Sequence, residues 1–308
     1  MKSTILQTLV LLTGSLAHAA LDPDKALSIG IILFPGFQPL DVIGPLDVFA
    51  GASGQQNMTI SFIWKTTGPV SSIGPPRLFP GTPNPKLLPS IYPRLPVSVV
   101  ATHTFADAPP LDVLLVPGGI GNRFLNDTGD TSMEDFVAAR YPSLQYLLSV
   151  CTGAATLAKS GVLRGRRATT NKAAWAWATS FGEGVQWTPS ARWTEDGNVW
   201  TSSGVSAGID MTYAFVRALL GDAVAKATIN GIEYTPHVDR EWDPYSVVFN
   251  VSGGPLLPSS LVCGTTARWH EVDNYCVSSQ VTGANTTRPL GDCVGPAGYS
   301  FDCSGSLQ

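Results

Sequence analysis

Tyr146-Leu147-Leu148-Ser149-Val150-Cys151-Thr152-Gly153-Ala154-Ala155-Thr156-Leu157-Ala158 is the stretch whose reading decides the fold. An apolar run of strand-forming residues stops at Val150, and a small-residue helical pattern begins at Thr152. A strand feeding straight into a helix makes a tight turn that lifts the junction residue, Cys151, clear of a parallel sheet. There the thiol sits over a helix N-terminus, whose unpaired N–H groups and positive dipole end favour thiolate over thiol. The other four cysteines lie beyond residue 260, so Cys151 has no close partner in sequence. A buried, inert cysteine is the competing reading. The flanking Gly and Thr favour a nucleophile, and one that alkylates quickly near neutral pH.

Working outward, Ala26 to Phe34 is a continuous apolar strand, the pattern of a strand covered on both faces. Pro35-Gly36-Phe37 turns the chain, and Asp41-Val42-Ile43-Gly44-Pro45 leads into a helix through Phe49. Thr59 to Trp64 and Leu111 to Val116 read as further strands, Met133 to Arg140 as a helix, and Arg167 to Thr170 as a strand. Arg192 to Glu195 and Val199 to Ser202 flank Asp196-Gly197-Asn198, a hairpin signature. Ser206 to Leu220 and Ala223 to Ile232 are helices. Strands alternating with helices imply a mainly parallel sheet covered on both sides, a three-layer α/β sandwich. Residues 66–98 carry nine prolines and cannot be regular throughout, so they read as a lid or surface insertion.

The 308 residues, 44% hydrophobic and 14% charged, can bury a sizeable core. A net charge of −4 without long charged runs argues against nucleic-acid or anionic-membrane partners. Lys2, the apolar Ile5 to Leu12 and Ala17-His18-Ala19 together read as a signal peptide over residues 1–19. A transmembrane anchor is the alternative, but Thr8, Thr13 and Ser15 interrupt a run that is already short. Four sequons, at Asn57, Asn126, Asn250 and Asn285, fit N-glycosylation in a eukaryotic secretory route. Cys263, Cys276, Cys293 and Cys303 sit in a Gly-, Ser- and Thr-rich tail and read as two disulfides. Three connectivities are open; loop length favours 263–276 and 293–303. Zinc is the rival reading, disfavoured by the absence of any CxxC pair. The expected organisation is therefore a leader, an α/β domain over 20–254 and a disulfide-stapled extension over 255–308, secreted as a whole.

Four segments carry a resemblance: Phe34-Pro35-Gly36-Phe37-Gln38-Pro39-Leu40-Asp41-Val42-Ile43-Gly44-Pro45, Asp112 to Gly119, Ser149 to Ala154, and Arg166 to Asn171 with Thr201 to Asp210 beyond it. In this order the chain resembles the ThiJ/PfpI family of the class I glutamine amidotransferase-like superfamily, most closely its isonitrile hydratase branch. The resemblance implies a flavodoxin-like fold and a nucleophile elbow at Cys151, with Asp41 and Thr152 accompanying the nucleophile. It also implies a small-molecule substrate, a homodimer, and no metal or other cofactor. Regulator members add a basic helix-turn-helix domain, of which this chain shows no sign. Protease-like members carry His after the nucleophile where this chain has Thr152, and glyoxalase-type members carry His where it has Asn171. His103, His237 and His270 match no catalytic position and read as ordinary polar residues.

The residues can also be read by their chemistry. Gly118 and Gly119 follow a strand end and let backbone N–H groups approach a ligand, so with the Thr152 N–H they form a candidate oxyanion pocket. Asn171, at the end of the strand after the elbow helix, joins them as a candidate substrate contact. Asp41 emerges at the same sheet edge as the elbow. A carboxyl touching a thiolate would have a raised pKa and could shuttle protons. The alternative for Asp41 is a helix N-cap. Trp175 and Trp177 line an apolar pocket or pack in the core. The leading expectation is a secreted cysteine-nucleophile hydratase taking an isonitrile to an N-formamide. Its rival is a non-catalytic or redox-sensing protein of the same fold.

Overall fold

The computed structural model describes residues 25–74 and 96–254, and beyond them the backbone of four short strands. The stretch expected to be a signal peptide, the Asn285 sequon and the side chains of Cys263, Cys276, Cys293 and Cys303, expected to form two disulfides, lie outside the described residues. The helices are α1 (Pro39–Ala52), α2 (Gly121–Asp127), α3 (Ser132–Arg140), α4 (Gly153–Lys159), α5 (Trp175–Ala178), α6 (Ala207–Leu220), α7 (Asp222–Gly231) and α8 (Tyr245–Val248). The strands are β1 (Leu27–Ile32), β2 (Met58–Trp64), β3 (Gly68–Ser71), β4 (Ser98–Ala101), β5 (His103–Thr104), β6 (Val113–Val116), β7 (Tyr146–Ser149), β8 (Arg167–Ala168), β9 (Gln186–Trp187), β10 (Trp193–Asp196) and β11 (Val199–Ser202). In the C-terminal extension β12 (Ala267–His270) pairs antiparallel with β13 (Tyr275–Ser278), and β14 (Cys293–Val294) with β15 (Ser300–Phe301).

The main sheet has seven strands in the order β10-β11-β7-β6-β1-β2-β5. All neighbours are parallel except β10 and β11, the hairpin turned at Gly197. β6, β7 and β11 are buried at every position, as their unbroken apolar or small-residue sequences require of strands covered on both faces. On one face α1, α6 and α7 pack as a group, with Gly44 of α1 against Ile209 and Phe49 edge-on to Phe215 at 6.2 Å. Phe215 also meets Tyr146 and Trp200, joining this layer to the sheet. α3 and α4 pack together in the other layer.

One expectation needs adjustment. The strand read at Arg167 to Thr170 shrinks to β8, which pairs with β9 and stays out of the main sheet. The Thr169 and Thr170 hydroxyls are instead committed to bonds with neighbouring segments. Within the Pro-rich stretch, β3 pairs antiparallel with β4, so 68–71 is regular; residues 75–95 lie outside the described residues.

From β1 the chain passes to β2 on one side, and later to β6 on the other. The carboxyl ends of β1 and β6 therefore diverge at a topological switch point, where open α/β sheets form their ligand crevice. The loops after β1, β6, β7 and β11 all open at that edge.

Candidate active site

The elbow is formed as its sequence requires. Cys151 adopts φ +58°, left-handed for a residue other than glycine, between the end of β7 and the start of α4. Such a conformation costs about 1–3 kcal/mol and persists only where its surroundings over-determine it. Its N–H donates to the Ser203 carbonyl at 2.9 Å, and its carbonyl accepts from Thr170 Oγ1 at 2.9 Å. A Cβ on Gly153 would stand 2.1 Å from the Val116 carbonyl oxygen, so only glycine lets α4 begin this close to the end of β6.

Asp41 lies in the first turn of α1, where Gln38 occupies the cap position. It is wholly buried, and its side chain does not cap the helix. Its Oδ2 accepts from the Gly118 N–H at 2.8 Å, while Oδ1 has no conventional hydrogen-bond partner. Burial pushes the Asp41 carboxyl up to about 7, countered by the Gly118 N–H and then by the Cys151 thiol. The helix-cap alternative for Asp41 is thereby set aside.

Cys151 is 6% exposed. Burial pushes its thiol well above the usual range, and the charge of Asp41 pushes it further. The Thr152 N–H, the Val205 N–H and the Asn171 side chain act in the opposite direction on the sulfur. The expectation that the helix N-terminus leaves a thiolate at neutral pH is corrected here. Desolvation and the charge of Asp41 outweigh the Thr152 and Val205 N–H groups and the Asn171 side chain that favour the thiolate. No histidine of the described residues is among the groups acting on the sulfur.

The glycine amides serve differently from expectation. The Gly118 N–H is bonded to Asp41, and the Gly119 N–H donates to Thr152 Oγ1 at 3.0 Å, so neither faces a ligand. Gly118 is needed for close approach: a Cβ there would stand 2.5 Å from the Thr152 nitrogen and 3.0 Å from Asp41 Oδ2. Thr152 Oγ1 donates onward to Asn122 Oδ1 at 3.1 Å, and Asn122 Nδ2 donates to Thr156 Oγ1. Asn171 Oδ1 accepts from the Ala174 N–H, which leaves its NH₂ for the sulfur.

The structure thus brings Asp41, Gly118, Cys151, Thr152 and Asn171 together and draws Gly119 in through Thr152. Sequence reading missed Val205 and Ser203, which act through backbone groups, and Asn122, whose α2 lies far from the elbow in sequence. Trp175 and Trp177 are partly buried; the Arg123 guanidinium stands 4.7 Å from the Trp177 ring centre, and Trp175 meets Trp187 edge-on. Among the described residues no His, Cys, Asp and Glu cluster could hold a metal ion, and no helix is long and apolar enough to cross a membrane.

Comparison with known proteins agrees with this fold. An isonitrile hydratase from Pseudomonas putida is 34% identical over 211 residues, covering 68% of this chain and 80% of that protein. Among solved structures, a ThiJ/PfpI family protein from Pseudomonas syringae aligns with TM-score 0.53 and 26% identity over 69% of this chain and 77% of its own. A DJ-1 superfamily protein from Salmonella typhimurium shares the fold, with TM-score 0.50 and 20% identity over 68% of this chain and 99% of its own. The sequence profile of the DJ-1/PfpI family matches residues 27–218, well over half of the chain. With that profile matched over more than half of its length, and a relative 34% identical over most of the domain, the chain belongs to the DJ-1/PfpI family.

Proposed function

We propose that this protein is a cysteine-dependent hydratase of small electrophilic carbons, acting on isonitriles to give N-formamides. One observation carries the reading: a buried carboxyl, poised near neutrality, stands against the elbow thiol. Likeness to an isonitrile hydratase supports the choice of substrate. A thiol held protonated needs a base at the moment of attack, and Asp41 is matched to that task. As sulfur bonds to the isonitrile carbon, the thiol proton passes to the Asp41 carboxylate. Asp41 returns it to the same carbon, leaving a thioimidate, R–N=CH–S–Cys151. Water adds to that carbon, with one proton going to nitrogen. The C–S bond then breaks, the hydroxyl proton returns to sulfur through Asp41, and R–NH–CHO leaves. The Thr152 and Val205 amides and the Asn171 amide stabilise negative charge on sulfur during attack and departure.

The test is incubation with an alkyl isonitrile and detection of the N-formamide by mass spectrometry. Wild-type protein should turn over and Cys151→Ser should not. No product from the wild type, with Cys151 recovered as an oxidised thiol, would favour the redox-sensing alternative.

The protein is further proposed to act as an exported homodimer with no metal or other cofactor. Asn57 and Asn250 are exposed and Asn126 is partly exposed, as glycan acceptors must be. A glycosidase-induced mobility shift of protein recovered from a eukaryotic culture medium would support export, and its absence would remove that part.

A further inference from the structure

Behind the elbow lies a second buried polar assembly that the proposed chemistry does not use. Lys172, Arg192, Asp210 and Asp243 are each no more than 8% exposed. Arg192 Nε donates to Asp210 Oδ2 at 2.6 Å, while Lys172 Nζ and Arg192 Nη1 flank the Asp243 carboxylate at 3.6 and 3.8 Å. The Tyr234 hydroxyl and the His237 N–H both donate to Asp210 Oδ1. Lys172 Nζ also donates to Thr169 Oγ1 and the Ala191 carbonyl, each at 2.8 Å, and to the Thr170 carbonyl at 3.3 Å. The ring of Trp175 lies 5.2 Å away.

A buried ion set of this kind is a weak source of stability. Burial lowers Lys172 to about 8, so keeping it charged at neutral pH costs the folded state free energy. What the set does hold is the elbow. Lys172 grips Thr170, whose hydroxyl donates to the Cys151 carbonyl. Asp243 accepts from the Ser203 hydroxyl, and the Ser203 carbonyl accepts the Cys151 N–H. Both backbone groups of the strained residue are therefore anchored to segments that the cluster clamps. The same segments carry Asn171 and Val205, two of the groups that act on the sulfur.

We infer that Lys172 and Asp243 are positioning residues. Together they clamp the 169–172 and 203–205 segments, hold Cys151 in its positive-φ conformation and keep the Asn171 amide and Val205 N–H on its sulfur. The inference rests on the reading of Cys151 as the nucleophile, but not on the identity of the substrate.

The test uses Lys172→Met, Lys172→Arg, Thr170→Val and the Lys172→Met/Thr170→Val double variant in the full chain. Two readouts are taken, the pH profile of Cys151 alkylation by iodoacetamide and steady-state turnover of an alkyl isonitrile, with melting curves alongside. Lys172→Met should move the alkylation profile to higher pH and lower kcat ~10- to 100-fold with KM little changed, because it misaligns the reacting group. Lys172→Arg should restore most of both. Thr170→Val leaves every ion pair in place and should reproduce the effect in smaller measure. The double variant should be no worse than Lys172→Met, since both changes cut one chain of contacts. An unchanged alkylation profile in Thr170→Val, or strictly additive effects, overturns the inference. If Lys172→Met does not fold, Thr170→Val decides alone. If the wild type does not hydrate isonitriles, the alkylation profile still decides.

Discussion

Asp41 and Asp243 are both wholly buried, and both border the elbow. Asp243 has Lys172 and Arg192 beside it, the Ser203 hydroxyl on one oxygen and the Tyr245 N–H on the other. Asp41 has one backbone N–H, one thiol and an oxygen without a conventional partner. Matched cations make a buried carboxylate part of the scaffold. Without them, burial raises the carboxyl until it can exchange protons near neutrality.

The largest effect should come from breaking the unmatched member. Asp41→Asn should lower isonitrile turnover by about 10²–10⁴-fold, the range typical of a general acid–base group, while its melting curve stays cooperative. Near-normal initial rates in that variant would end the proton-transfer role.

Stability should answer the two substitutions with opposite signs. Removing the Asp243 charge leaves Lys172 and Arg192 under-compensated, so Asp243→Asn should cost about 3–5 kcal/mol in denaturant unfolding. Asp41 behaves differently with pH. Its folded pKa of about 7 exceeds the ordinary 3.8, so its contribution is full below about 4 and is lost as pH rises through 7. From this group the wild type should lose roughly 4 kcal/mol between pH 4 and 8. Asp41→Asn should lack that loss and gain on the wild type as pH rises. A constant stability difference across that range would contradict the raised carboxyl.

A smaller effect tests the neutral network beside Asp41. Thr152→Val strands the Gly119 N–H and Asn122 Oδ1. It should cost about 1–3 kcal/mol by the same unfolding assay, with little dependence on pH.

How much of this was legible follows from the range of each signal. The elbow and the Asp196-Gly197-Asn198 hairpin are written in consecutive residues, and α1, α6 and α7 fall within two residues of their expected ends or, for α1, contain the span expected. Asp41 was recoverable because it follows the first strand, and parallel topology brings that loop to the elbow. Val205 and Ser203 reach Cys151 through main-chain groups that any residue would supply, and the Ser203 hydroxyl finds Asp243 only once the chain is folded, so neither is announced by its residue type. Lys172 reads as an ordinary lysine until folding buries it. The thiolate expectation failed because desolvation is a property of the folded surroundings, and in sequence only the helix terminus was visible.

The most direct test of the account is the pH profile of iodoacetamide alkylation at Cys151 in wild type and Asp41→Asn. If the carboxylate and burial together hold the thiol protonated, wild-type alkylation is slow at pH 7, and neutralising Asp41 moves the profile to lower pH even as turnover falls. A profile that stays in place, or moves to higher pH, would contradict the proton-sharing pair on which the proposed chemistry depends.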